Sequence, residues 1–256
     1  MSTWTDLSDE AGRWAQAGRT AELWWRDDDA ADDGPALERL LAIHRDTGVP
    51  VALAVVPAKA TQALADRLAG EPGVDLLQHG YAHVNHAASG DNKKIELGTE
   101  RPAMLVLGEL GTGRMALERL FGARPLPVLV PPWNRIAPVL VPTLPEIGFA
   151  GLSTFGARRR THPVRGLLEV NTHVDLIDWK GGHGFVGEAA ALGALVAALA
   201  RARISDEPVG VLSHHLAMDA GAWDFLRSMW QKALKMPGLR VRPAHELFAT
   251  GGEDRG

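Results

Sequence analysis

The chain has 256 residues, of which 46% are hydrophobic and 23% charged, a globular balance with enough length to bury a core without staples. Its formal charge of -4 lacks the basic footprint of a nucleic-acid binder, and the absence of cysteine excludes disulfides, thiolate metal sites and a cysteine nucleophile. The opening segment, MSTWTDLSDEAGRWAQAG, carries acids and no apolar signal region. The most apolar stretch, Ala189 to Ala200, is too short for a span of about 20 residues. A cytoplasmic protein that enters no membrane is expected.

Leu7, Ala11, Trp14 and Ala15 recur at helical spacing and predict an N-terminal amphipathic helix. Apolar runs of strand length then follow at 21–28, 49–56, 74–80, 126–131, 149–155, 167–175, 209–215 and 239–242. Helical patterns fill most of the gaps, at 36–47, 61–69, 100–121, 137–147, 187–203 and 221–235. Gly48, Gly70, Gly122 and Gly148 stand where those helices should stop. Strands alternating with helices predict a parallel barrel of the deformed (β/α)7-8 kind, with a doubly wound open sheet as the alternative. Nothing marks an internal boundary, so residues 1–250 are expected to form one barrel domain, and 251–256 a disordered tail.

Chemistry-bearing residues collect at the predicted strand ends. Asp27 and Asp28 close the first strand, His79 the third with His83 four residues on, and Pro131-Pro132-Trp133 the fourth. Asp175 closes the strand before the alanine-rich helix, and His214 and His215 the strand at 209–215. In either β/α architecture these ends share one rim, where active sites lie. HGYAHVNH places three histidines just after a strand, a composition that favours imidazole ligation. Neighbouring strand positions face opposite ways, so only one of His214 and His215 should face the rim. A carboxylate and two imidazoles suit zinc, and accept cobalt or nickel. A second carboxylate and a histidine on the opposite wall would complete a hydrolytic set.

These segments, in order, resemble the motifs of the polysaccharide deacetylase family, carbohydrate esterase family four, whose members share a deformed (β/α)7 barrel. WRDDD matches the family's TFDDG and implies Asp27 as base and Asp28 as metal ligand; the triple Asp also permits Asp28 and Asp29. HGYAH matches H(S/T)xxH, implying His79 and His83 as ligands, with Gly80 in place of Ser or Thr. VPPWN stands for RPPY and implies that the Trp133 N–H helps hold an oxyanion, but Val130 replaces the family arginine. DLIDW matches DxxDW, and LSHH implies His214 as proton donor, with Asp175 tuning its neighbours; a register one residue later would make it His215. The resemblance implies a divalent metal as cofactor, most readily zinc.

In the family that arginine lies beside the base aspartate. An acid cluster of Asp27, Asp28 and Asp175 needs a cation to remain ionised, and two candidates stand close in sequence. Arg26 shares strand parity with Asp28, whereas Arg135 follows VPPWN. Arg26 is the expected replacement. The expected function is removal of an acetyl group from an N-acetylated (or O-acetylated) sugar or small glycoconjugate. The alternatives are hydrolysis of a non-sugar amide or ureide and a non-catalytic carbohydrate- or metabolite-binding relative. The expected partner is a small molecule or oligosaccharide, with no nucleic acid and no membrane. Core packing is expected for Trp24, solvation for Arg158–Arg160, a pocket border for His183, and no ranked role for His86.

Overall fold

The computed structural model describes residues 2–88 and 93–249, so the expected tail at 251–256 lies outside the described residues. Helix α1 (Trp4–Gln16) opens on a capping box: the Thr3 hydroxyl accepts from the Asp6 N–H while the Asp6 carboxylate accepts from the Thr3 N–H. Then come β1 (Ala21–Ala30), α2 (Pro35–Thr47), β2 (Val51–Val55), α3 (Gln62–Leu68), β3 (Val74–His79), α4 (Ala103–Phe121) and β4 (Pro125–Val130). Next are β5 (Gly151–Leu152), β6 (Leu168–Glu169), β7 (Thr172–Asp175), α5 (Glu188–Ser205) and β8 (Val209–Ser213). The chain ends on α6 (Ala220–Ala233), β9 (Leu239–Val241) and α7 (Ala244–Ala249). Proline at the first turn of α2 and left-handed Gly48 (φ 70°) after it fix that helix's two ends.

Every ladder between the named strands is parallel, in the order β6-β5-β4-β3-β2-β1-β8-β7, with β9 against the start of β1. A doubly wound sheet would reverse its order about the first strand; here β1 to β6 run in sequence. Residues 168–175, within the single strand expected at 167–175, form one bent stave whose first half pairs β5 and whose second half pairs β8. The Val170 N–H to Leu152 carbonyl and Thr172 N–H to Thr154 carbonyl bonds carry the pairing through the bend. The bend closes the sheet on itself. Counted once beside β1 to β5 and β8, the bent stave makes seven staves, a deformed (β/α) barrel.

Strands covered on both faces need apolar residues at successive positions, as in β2, VALAV, all five of which are buried. One parity packs outward: Trp25, Val51, Leu53, Val55 and Leu76 join the helices in the larger core. The other faces the barrel interior, where Trp24 meets Ala52, Ala54, Leu77, Val128, Val130 and Val170. Small alanines on β2 leave room for the Trp24 indole, whose Nε1–H donates to the Asn171 carbonyl at 3.2 Å. Ala244, Leu247 and Phe248 of α7, a helix not expected from the sequence, pack against this interior.

Two further expectations need correction. The helix expected at 137–147 is a chain of 3-10 turns, because Pro138, Pro142 and Pro145 remove the N–H groups an α-helix would use. The strand expected at 149–155 is reduced to β5, although Ala150 and Ser153 still donate to carbonyls of Pro127 and Leu129. Among the described residues no helix is long and apolar enough to cross a membrane.

Candidate active site

The expected site residues lie at the carboxyl end of the barrel, Asp27 beneath the rim, and the end of β1 decides their arrangement. Asp27 pairs with Leu53 but Ala30 with Val55, so β1 spends three steps where β2 spends two. The extra residue is a bulge, and Asp29 within it is left-handed (φ 76°). Alternation therefore breaks after Asp28. Asp27 stays on the outer face with Trp25, Asp28 faces the barrel mouth with Arg26, and Asp29 is turned towards the loop after β3.

The carboxylate that meets the two imidazoles is thus Asp29 and not Asp28. Its Oδ1 lies 3.2 Å from His79 Nε2 and 3.1 Å from His83 Nε2. Burial pushes the Asp29 carboxyl up, but hydrogen bonds from both histidines and their charge outweigh it and hold it well below the usual range. His79 is buried, which opposes its charge, yet the Asp28 charge and the Asp29 hydrogen bond raise its pKa. These three residues form the candidate metal group, their ligand atoms all within 4.8 Å of one another. The donor set fits a divalent ion. Ligands about 2.1 Å from a tetrahedral ion stand roughly 3.4 Å apart, close to the two separations from Asp29 Oδ1. His79 Nδ1 lies 3.0 Å from the Val130 carbonyl, which fixes that nitrogen as donor and leaves Nε2 free to ligate.

Asp28, the expected ligand, is instead gripped by Arg26. Nε donates to Oδ1 at 2.8 Å and Nη2 to Oδ2 at 3.0 Å. The guanidinium is fully buried and reaches across the mouth to β5 and the loop after β4. Nη1 donates to the Ser153 hydroxyl at 2.6 Å and to the Ser153 and Thr154 carbonyls at 3.2 and 3.3 Å, and Nη2 to Asn134 Oδ1 at 2.6 Å. Arg135, the other candidate, points away and donates to the Lys94 carbonyl at 2.8 Å.

Asp27, the expected base, is fully buried beneath the rim and occupied. It accepts from the Ser213 hydroxyl (2.5 Å), the His215 N–H (3.0 Å) and His215 Nδ1 (2.5 Å). Burial opposes a charged His215, but the Asp27 charge and hydrogen bond raise its pKa. Trp25 Nε1 donates to the same Ser213 hydroxyl, so this cluster ties β1 to β8.

His214 faces the other way. Its Nδ1 stands 3.8 Å from Asp175 Oδ1 and is buried without a hydrogen-bond partner among the described residues. The Trp179 indole lies edge-on to the His214 ring, centroids 4.8 Å apart, and donates to Asp175 Oδ2 at 2.8 Å. Burial raises the Asp175 pKa, against the lowering effects of the His214 charge and of hydrogen bonds from the Ile177 N–H and the indole. Trp179 is 43% exposed and borders the mouth with His183, whose ring lies 6.2 Å from it.

Trp133 is left-handed (φ 55°), as are Asn134 (φ 55°) and His83 (φ 54°), and the Trp133 ring lies tilted against that of His83, centroids 4.4 Å apart. Such residues cost about 1–3 kcal/mol each and persist where the surroundings over-determine them. One residue that sequence reasoning missed does this for the histidine loop. Glu96 is buried, and its carboxylate accepts from the N–H groups of Tyr81 (3.1 Å), Ala82 (2.8 Å) and Val84 (3.4 Å). Its only signal was a lone acid in an apolar context, IEL. His86 is absent from the metal group and its N–H donates to the Ile95 carbonyl. Arg158 donates to the Glu169 carbonyl, while Arg159 and Arg160 are exposed.

No protein-family model and no curated protein matches the sequence. Solved structures do. A Mycobacterium smegmatis protein assigned to the polysaccharide deacetylases aligns over 91% of this chain and 90% of its own, at TM-score 0.65 and 17% identity. A family 4 carbohydrate esterase from Streptomyces lividans, in complex with acetate, aligns over 86% and 91%, at 0.57 and 17%. A family 4 acetyl xylan esterase from Clostridium thermocellum, in complex with a cobalt ion, aligns over 90% and 91%, at 0.55 and 15%. The chain has the fold of the family 4 carbohydrate esterases, the polysaccharide deacetylases.

Proposed function

We propose that the protein is a metal-dependent deacetylase of that family, removing an acetyl group from an N-acetylated or O-acetylated sugar or small glycoconjugate. The observation that carries this is the grouping of Asp29, His79 and His83 beside an arginine-clamped Asp28, with His214 and Asp175 on the other wall. Similar structures with bound acetate and with a cobalt ion support the same reading.

Asp29, His79 and His83 are the residues that would hold a divalent ion, zinc most readily and cobalt or nickel as well. Such an ion supplies a Lewis acid that polarises an acyl oxygen and acidifies water. Asp28 takes the role first expected of Asp27: it accepts a proton from the attacking water while the Arg26 fork holds it oriented. The water oxygen bonds to the acyl carbon, and the Trp133 N–H supports the charge on the acyl oxygen. Removing one such donor typically costs about 3–4 kcal/mol. His214, with Asp175 beside its Nδ1, gives a proton from Nε2 to the leaving nitrogen or oxygen as the bond to the acyl carbon breaks. Acetate and the free amine or alcohol leave.

A non-sugar amide or ureide is the second reading, made credible by the absence of the third-motif arginine. With Arg26 on the aspartate, that argument lapses. The test is elemental analysis of the purified protein together with acetate release from a panel of N-acetylated and O-acetylated sugars. One divalent ion per chain with release supports the proposal; stoichiometric metal without release from any acyl donor turns it into a binding protein.

A further inference from the structure

Gly80 stands where the family pattern has Ser or Thr, and the structure explains why a side chain is excluded there. Gly80 is left-handed (φ 54°), and a Cβ on it would collide with a Glu96 carboxylate oxygen and with the Pro132 ring. Glu96 fills that space from outside the loop. Oε2 accepts from the Tyr81 N–H and Oε1 from Ala82 and Val84, bracketing the turn that delivers His83. Gly80 itself is held by its N–H to the Val130 carbonyl and by the Gln78 amide on its own carbonyl at 3.0 Å.

The segment carrying Glu96 is anchored on the neighbouring loop, the one that follows β4. Leu97 bridges Ile136, the Ala137 N–H donates to the Leu97 carbonyl at 2.8 Å, and Arg135 donates to the Lys94 carbonyl. Ile95 is tied back to the histidine loop: its N–H donates to Asn85 Oδ1 at 2.9 Å and its carbonyl accepts from the His86 N–H. One segment therefore spans the loop that carries His83 and the loop that carries Trp133.

We infer that Glu96 is a positioning residue for the metal site, a carboxylate clasp that sets the left-handed turn at His83 and ties it to the Trp133 loop. The inference rests on the metal reading above. Three backbone N–H groups need acceptors on both oxygens, and a glutamine must turn an NH2 towards at least one of them. An aspartate falls one methylene short of the loop.

The experiment titrates Co2+ into metal-stripped wild type, Glu96→Gln and Glu96→Asp, reading affinity and the visible Co2+ spectrum. Leu40→Ala, a core variant on α2, controls for general loosening. Loss of an outer partner of a metal ligand typically weakens binding 10–100-fold. That loss, with an altered spectrum, is expected for both Glu96 variants, while Leu40→Ala stays within about twofold of wild type. Glu96 variants that fold and bind Co2+ within about twofold of wild type overturn the clasp. Hydrogen exchange of the metal-stripped wild type is the second measurement, decisive if the variants fail to fold. The Tyr81 and Ala82 amides should be strongly protected, and exchange at free-loop rates overturns the clasp equally. A wild type that binds no Co2+ refutes the metal reading instead, and the exchange result then decides the clasp alone.

Discussion

Arg26 offers the sharpest quantitative test, because its side chain is fully buried and every contact is known. It donates to both oxygens of Asp28 and to Asn134, the Ser153 hydroxyl and two carbonyls on the far stave. Arg26→Met leaves Asp28 as an uncompensated buried charge, a change that typically costs about 3–5 kcal/mol. For a domain of this size that lowers the melting temperature by roughly 10 °C. Arg26→Lys keeps the charge but supplies one nitrogen, so the fork on Asp28 and most of the bonds to the far stave cannot both survive. It should fold, bind metal and lose most of its turnover. The decisive measurement is a double-mutant cycle with Asp28→Asn, read by urea unfolding of the metal-free protein. Arg26→Met in the Asp28→Asn background should cost less than in wild type by about 2 kcal/mol or more. A coupling below about 0.5 kcal/mol, or an Arg26→Met protein as stable as wild type, would refute the pairing as an energetic unit.

The metal group separates the three aspartates: Asp29→Asn and His83→Ala should abolish stoichiometric metal, whereas Asp28→Asn should keep it and lose hydrolysis, as elemental analysis beside acetate release will read. Metal lost from Asp28→Asn but kept in Asp29→Asn would reverse the two roles. His214→Ala should cut the rate about 10²–10⁴-fold with little change in stability, and a wild-type rate in that variant removes it as proton donor. His215→Ala should act mainly through stability, lowering the unfolding midpoint. The Asp27–His215 pair also carries a pH signature. With its pKa raised on folding, His215 contributes stability that is fully present below the ordinary value of 6.5 and lost as pH rises through the folded value. Asp27→Asn should therefore flatten the fall of stability with rising pH, measured on metal-free protein, and an unchanged slope would show that the pair is not its source.

The strand-end placement of Asp175, His79, His83 and His214 was legible because alternating apolar runs and helices fix where a parallel strand ends. The parity of Arg26 and Asp28 was legible for a similar reason, since residues two apart on a strand share a face. The three aspartates were harder. Strict alternation cannot put two successive acids at one rim, and the bulge that does so leaves no mark except a third Asp, which tolerates φ > 0 better than most residues. The bend at Val170 and Asn171 was equally invisible, since each half of LLEVNTHVD is a credible strand. Glu96 could not be placed because its partners are backbone amides, which every sequence contains.

The bent stave and the last strand have a bearing on how the protein is made. Asp29, His79 and His83 all fall in the first third of the chain, so the half of the candidate site proposed to hold an ion is synthesised before residues 175 and 214 have been added. The edge of β1 that receives β8 must wait for residues 209–213, and the Ser213 and His215 bonds to Asp27 span 186 and 188 residues. Until then that edge, with Leu23, Trp24 and Trp25 in succession, is an unpaired template for other strands. Contacts of such sequence separation form late. A chain cut before residue 209 is expected to collect in the insoluble fraction rather than survive as a soluble fragment, so closure of the barrel guards solubility as much as it brings the candidate site together.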